Sequence, residues 1–207
     1  MNKREALAKE WNAVVEDVTN QGGNIYTIGN MEFLVLTDEE ADELYYKKEL
    51  DVLKKYGIHA LLWDFREYLK DEVLDKDKLE ELELKLTKKG LLDIYKEDFE
   101  EYKQMLINGG YIDEDNTYTK EELKGFVNEM AEDVVYNNYE SPADSLENDL
   151  GEEDFWKLMV KAGLIDYKTV IEEFKNWSGY DRGEVLADYD HYEDVISETP
   201  YYSYRLK

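Results

Sequence analysis

Between residues 3 and 18 the apolar positions Ala6, Leu7, Trp11, Val14, Val15 and Val18 recur at a helical period, which predicts an opening helix. Gln21-Gly22-Gly23-Asn24 breaks it. Two short β-like runs follow, Ile25–Ile28 and 31–36, and the Gly29-Asn30 pair between them predicts a hairpin turn. Thr37, with Glu40 three residues on, supplies both halves of a capping box, so a helix should open there. Its periodic positions run to about Tyr56, and Gly57 is the stop signal.

The pattern stays helical over 58–108. Leu61, Leu62, Phe65 and Leu69 form one stripe; Leu79, Leu82 and Leu86, then Phe99, Tyr102 and Leu106, form others, with Gly90 and Gly109-Gly110 as punctuation. Thr119 and Glu122 repeat the capping-box spacing and predict a helix to about Val135. A loop is expected over 137–142, and short helices over 151–162 and 167–177. The tail turns β-like at 184–189, 192–196 and 201–206, and these strands are expected to pair with the N-terminal hairpin. The fold class implied is α+β: predominantly helical, with a small antiparallel sheet from an N-terminal hairpin and C-terminal strands. The segments are 1–57 (helix, hairpin, helix), 58–135 (helical middle) and 136–207 (acidic α+β part), in one or two compact units. No internal repeat is evident.

Charge changes this picture more than any motif does. The 207 residues hold 51 acidic and 25 basic side chains, a formal net of −26. Solubility of a small domain asks for a net charge of only about 2 to 8 in magnitude. The surplus opposes folding by self-repulsion, so something else should require it. At 43% apolar residues the chain can bury a core, unlike a disordered acidic tail. Lys far outnumbers Arg, and Ile, Tyr and Asn are plentiful, a usage closer to an AT-rich genome than to salt adaptation. The charge is uneven: residues 1–110 hold 26 acids and 16 bases, and residues 111–207 hold 25 acids and 9 bases. There is no cysteine, which excludes disulfides and thiolate metal sites. No apolar leader and no run of roughly 20 apolar residues is present, so a cytoplasmic protein is expected. Nucleic acid and anionic membrane both repel such a chain, so neither is expected as a direct partner.

Catalytic and metal chemistry find little to stand on. Asp113, Asp115, Thr117, Thr119 and Glu121 have the odd-numbered spacing of an EF-hand loop. However, Tyr118 takes the place of the turn glycine and Lys124 that of the bidentate glutamate, so an inter-helix loop ending in a cap is the better account. Paired carboxylates carry no information among 51 acids, and only His59 and His191 are available as imidazoles. Gly22-Gly23 and Gly109-Gly110 lack the residues of a phosphate loop or dinucleotide fingerprint, and no G-x-S-x-G is present. The expectation is a non-enzyme without metal or cofactor.

Mimicry of nucleic acid uses the charge directly. DNA carries one charge per about 1.7 Å of axis, so a net of −26 corresponds to about 13 base pairs. The acids fall in spaced groups: Asp144, Glu147 and Asp149; Glu152, Glu153 and Asp154; Asp188, Asp190, Glu193 and Asp194. Carboxylates fixed on helices lose less entropy on binding than those of a flexible tail. Tyr139, Tyr189 and Tyr192 lie among them and suit packing or stacking against Arg. Tyr201, Tyr202 and Tyr204 serve that role or pack in a half-buried sheet, and the sequence leaves both open.

Two stretches are similar to small acidic proteins of bacteriophages and prophages. One is 28–43, containing Leu34-Val35-Leu36-Thr37-Asp38-Glu39-Glu40-Ala41-Asp42-Glu43. The other comprises Ser141-Pro142, Gly151-Glu152-Glu153-Asp154-Phe155, Leu164-Ile165-Asp166, Leu186-Ala187-Asp188-Tyr189-Asp190 and a terminal Tyr-x-Tyr-Arg at 202–205. The resemblance covers about half the chain and implies a setting rather than a mechanism; His191-Tyr192 departs from the glycine turn of such proteins. Antirestriction and anti-CRISPR proteins that mimic DNA are similar in size and charge. The implied partner is a basic, nucleic-acid-binding protein of the bacterial host: a CRISPR effector, a restriction enzyme or another nuclease. The acidic and tyrosine residues just named would form the contact, with a homodimer left open. The alternative is a regulatory adaptor that binds a host factor through an apolar or β-edge surface.

Overall fold

A computed structural model describes residues 1–179, 182–190 and 192–207. It divides into two compact units, one formed by Met1–Phe65 with Asp166–Lys207, the other by Arg66–Ile165. The divisions fall after Phe65 and Ile165, not near 57 and 135, because strands distant in sequence pair with one another.

The first unit is built on a five-stranded antiparallel sheet. Its strands are β1 (Val18–Gly22), β2 (Ile25–Ile28), β3 (Met31–Thr37), β4 (Glu193–Val195) and β5 (Tyr201–Arg205), in the order β1-β2-β3-β5-β4. The Gly29-Asn30 hairpin pairs Ile28 with Met31 and Tyr26 with Phe33. β5 joins β3 with Val35 opposite Ser203 and Leu36 opposite Tyr202, so the tail strand lies inside the sheet. Alternation along β3 sends Phe33 and Val35 to one face, where Ala6, Leu7 and Ala8 of α1 (Lys3–Glu10) cover them. Leu34 and Leu36 point to the other face, toward Ala41 of α2 (Asp38–Tyr56) and Leu186. Burying Phe33 completely contributes about 2 kcal/mol. The helix α2 opens with the Thr37–Glu40 capping box and closes at Gly57, as its sequence signals predict. It also packs against α10 (Tyr167–Ser178).

Two expectations for this unit are corrected. The opening helix ends at Glu10, not Val18: Asn12 turns the chain at φ 48°, a short 3₁₀ turn spans Val15–Asp17, and Val18 begins a strand. Val18 is fully buried in the sheet core, where a β-branched side chain fits better than in a helix, while Val14 and Val15 remain exposed outside any strand. The stretch 184–189 is not a strand; Arg182–Leu186 is the helix α11, whose Leu186 and neighbouring Ala187 fill the core beside α2.

The second unit is helical: α3 (Trp63–Tyr68, which straddles the division), α4 (Lys76–Glu97), α5 (Phe99–Asn108), α6 (Lys120–Gly125), α7 (Val127–Tyr136), α8 (Pro142–Leu150) and α9 (Glu152–Lys161). The long α4 runs through Gly90 without a break, so that glycine is not punctuation. Leu91, Tyr102, Leu106, Leu123, Val127 and Met130 form its core. The helix expected over 120–135 is interrupted at Phe126, which caps α6 and precedes α7. Ser141 caps α8, a helix between the expected loop and α9. It is docked on α4 by a hydrogen-bond chain in which Asn138 donates to Ser145 and Ser145 donates to the buried Glu83 at 2.6 Å. No helix among the described residues is long and apolar enough to cross a membrane.

Candidate functional site

The residues expected to form one acidic surface divide between the two units. Asp144, Glu147, Asp149, Glu152, Glu153, Asp154 and Tyr139 belong to the helical unit; Asp188, Asp190, Glu193, Asp194, Tyr189 and Tyr192 belong to the sheet unit. His191 lies outside the described residues.

In the helical unit, α8 and α9 present the first group. Ser141 accepts the Asp144 N–H, Pro142 occupies the first turn, and Gly151 at φ 80° turns the chain directly into α9. Asp144 and Glu147, three apart on α8, do not point at an absent partner. Both hold the Lys70 ammonium, at 2.9 and 2.8 Å, and Glu67 adds a third carboxylate at 2.7 Å. The Lys70 side chain is 5% exposed. Burial works against its charge, but the hydrogen bonds it donates to Glu147, Glu67 and Asp144 outweigh it and raise its pKa. Lys70 in turn draws the Asp144 carboxyl below its ordinary value. This is an internal clasp, and sequence spacing could not disclose it because Lys70 stands 74 residues away.

The rest of the group is more open. Glu152 pairs with Arg66 at 2.6 Å. Glu153 and Asp154 share the exposed Lys157, at 2.6 and 3.4 Å. Asp149 is exposed at the end of α8, and Tyr139 is fully exposed. Arg66 is only 12% exposed, but both partners of the Lys157 pairs are open to solvent; exposed pairs of this kind stabilise a fold by about 0–1 kcal/mol, so a competing cation displaces them at little cost.

In the sheet unit, Glu193 is also committed. Arg182 binds it at 2.8 Å and Asp38 and Asp42 at 2.8 and 3.1 Å; Tyr204 donates its hydroxyl to Glu193. Arg182 lies over the Tyr202 ring, and Tyr204 is fully buried. Tyr202 and Tyr204 therefore pack the sheet, and Tyr201 packs against the α1 side. Tyr189 is exposed but already lies against the Arg205 guanidinium, 4.0 Å from its ring. Asp188 and Asp190 flank it, and Tyr192 is exposed with its N–H directed at Asp190. Asp194 differs from all of these. Burial first, then the charges of Asp190 and Glu10, raise its carboxyl above the ordinary value.

The EF-hand-like spacing lies in the loop between α5 and α6. There Asp113 accepts from the Asn116 side chain, and Thr119 and Glu122 close a capping box. Among the described residues, no three Asp, Glu or His side chains are grouped to hold a metal ion. Sequence reasoning missed the organising cations Lys70, Arg66 and Arg182, since nothing local marks a lysine or arginine as buried.

Comparison with models of known protein families, with curated proteins and with solved structures returned no match.

Proposed function

We propose that this chain binds a basic, nucleic-acid-binding protein and covers the surface on which that protein would hold a phosphate backbone. In the phage setting that the sequence resemblance implies, the partner is a host defence protein such as a CRISPR effector, a restriction enzyme or another nuclease. One observation carries the reading: the helical unit 66–165 holds 28 acidic against 13 basic residues on helices fixed by side-chain caps. Its net of −15 is preorganised, which reduces the entropy lost on binding. Asp149, Glu153, Asp154 and Tyr139 are the contact residues there, while Glu152 stays with the largely buried Arg66. Asp188, Asp190, Asp194 and Tyr192 serve the sheet unit. Asp144, Glu147 and Glu193 support the scaffold and are not counted as contacts.

The test is a pull-down from bacterial lysate at low and high salt, followed by titration of the captured protein in competition with DNA and RNA. The expected result is an affinity that falls steeply with salt, and displacement by nucleic acid. Capture only of proteins that do not bind nucleic acid, with affinity flat in salt, overturns the reading. That outcome would favour an apolar adaptor, for which the 61% and 63% exposure of Leu62 and Trp63 offers a surface.

A further inference from the structure

β4 ends the sheet: it pairs with β5 on one side, and among the described residues no strand lies on the other. It is three residues long and carries Glu193 and Asp194, so it discourages pairing with a second copy of an equally acidic chain. The opposite edge, β1, offers Thr19, Asn20 and Gln21 and has no charge to select a partner.

Alternation separates the two acids of β4. Glu193 lies opposite Tyr204, on the face of α2 and α11, where Arg182 neutralises it. Asp194 lies opposite Ser203, and Ser203 lies opposite Val35, so Asp194 and Ser203 share the α1 face. Among the described residues, no cation is paired with Asp194 as Arg182 is with Glu193. Its charged surroundings are Asp190 and Glu10, both of its own sign. Glu10 sits in the last turn of α1, where the helix dipole adds further negative potential, and it accepts the Ser197 N–H. Lys9, the nearby cation of that turn, is held by Glu198 at 2.6 Å. Ser203, on the same face, is 1% exposed, and its buried hydroxyl has no hydrogen-bond partner among the described residues.

We infer that β4 receives an extended, lysine- or arginine-bearing segment of the partner as a further antiparallel or parallel strand, with one cationic side chain entering among Asp194, Asp190 and Glu10. The inference rests on the function proposed above and names the partner's recognition element. A strand added at that edge places the residue facing Asp194 on the same face, with Cβ atoms about 5 Å apart. Main-chain hydrogen bonds to β4 then fix the register, and the exposed Asp194 carboxylate, set beside two charges of its own sign, selects the charge. Exposed Val195 and Tyr192 give the added strand apolar neighbours.

The probe is a capped ten-residue peptide of alternating Lys and Val, titrated into the full chain while backbone amide shifts are followed by NMR. Three comparisons accompany it: the peptide N-methylated at alternate amides, the double variant Asp190→Asn/Asp194→Asn, and the double variant Asp71→Asn/Glu72→Gln at exposed positions of the other unit. The expected result is shifts concentrated at 193–196 and loss of binding on N-methylation. Affinity should fall on the order of tenfold in Asp190→Asn/Asp194→Asn and change little in Asp71→Asn/Glu72→Gln. Salt-dependent binding that ignores both N-methylation and Asp190→Asn/Asp194→Asn overturns the strand site while leaving the general charge reading intact. No binding by the unmethylated peptide overturns it as well. So does concentration-dependent self-association that shifts 193–196, which would make a second copy the occupant.

Discussion

Lys70 is bound by three carboxylates, of Glu67, Asp144 and Glu147, which are 34%, 50% and 21% exposed. Removing the cation leaves those acids crowded but partly hydrated, so the loss falls short of the 3–5 kcal/mol typical of a fully buried pair. Lys70→Met is expected to destabilise the chain by about 2 kcal/mol in denaturant unfolding. Its effect on the salt dependence of partner binding should be small, because the clasp is internal. The pH dependence has a definite sign. Asp144 has a folded pKa depressed below 3.8, chiefly by the hydrogen bond from Lys70. Its contribution is therefore complete above that value and is lost as the pH falls through the depressed folded one. Lys70, raised above 10.5, contributes fully below 10.5 and loses its contribution only as the pH rises beyond. Thermal melts of wild type and Asp144→Asn between about pH 7 and about pH 2 check this: the gap should hold near neutrality and close at the acid end.

At the scale of elements, two glycines set the angles between successive helices. Gly57 has φ 79° and ψ 168°, and Gly151 has φ 80° and ψ 152°, a region essentially closed to residues with a Cβ. Alanine at either position is expected to cost about 1–3 kcal/mol. Gly57→Ala should cost the more, since its Cβ would lie 2.8 Å from Nδ1 of His59, whereas a Cβ at Gly151 meets nothing within 4 Å. Denaturant midpoints of the two variants test the order. Gly57 was legible as a stop, because it follows a periodic run opened by a capping box. The α8 helix was less legible: its hold on α4 runs through Ser145 and Glu83, two polar residues whose burial no local pattern announces.

At the scale of the whole molecule, each unit has its own core, but only one is continuous in sequence. Residues 66–165 expressed alone should keep a helical circular-dichroism spectrum and unfold cooperatively. Residues 1–65 alone should lose the sheet signal, because β3 would then lack β5 and its run of cross-strand partners from Phe33 to Thr37. A fragment 66–165 without cooperative unfolding would contradict the division. The charge follows the same boundary: 28 acids and 13 bases in one unit, 23 acids and 12 bases in the other. The more acidic C-terminal half of the sequence is therefore not a structural unit. Its candidate residues belong to two surfaces with separate supports.

Local grammar determined the hairpin at Gly29-Asn30, the capping boxes at Thr37 and Thr119 and the helix α2, since each depends on residues within a few positions of one another. It also determined the surplus of negative charge, which no folding can remove. Tertiary structure alone decided that β5 enters the sheet beside β3, that 184–189 contributes helix and not strand, and which acids remain open. The reason is distance along the chain. Whether a carboxylate faces a partner or a buried cation depends on residues such as Lys70 and Arg182 that folding brings to it from about 70 to more than 140 positions away.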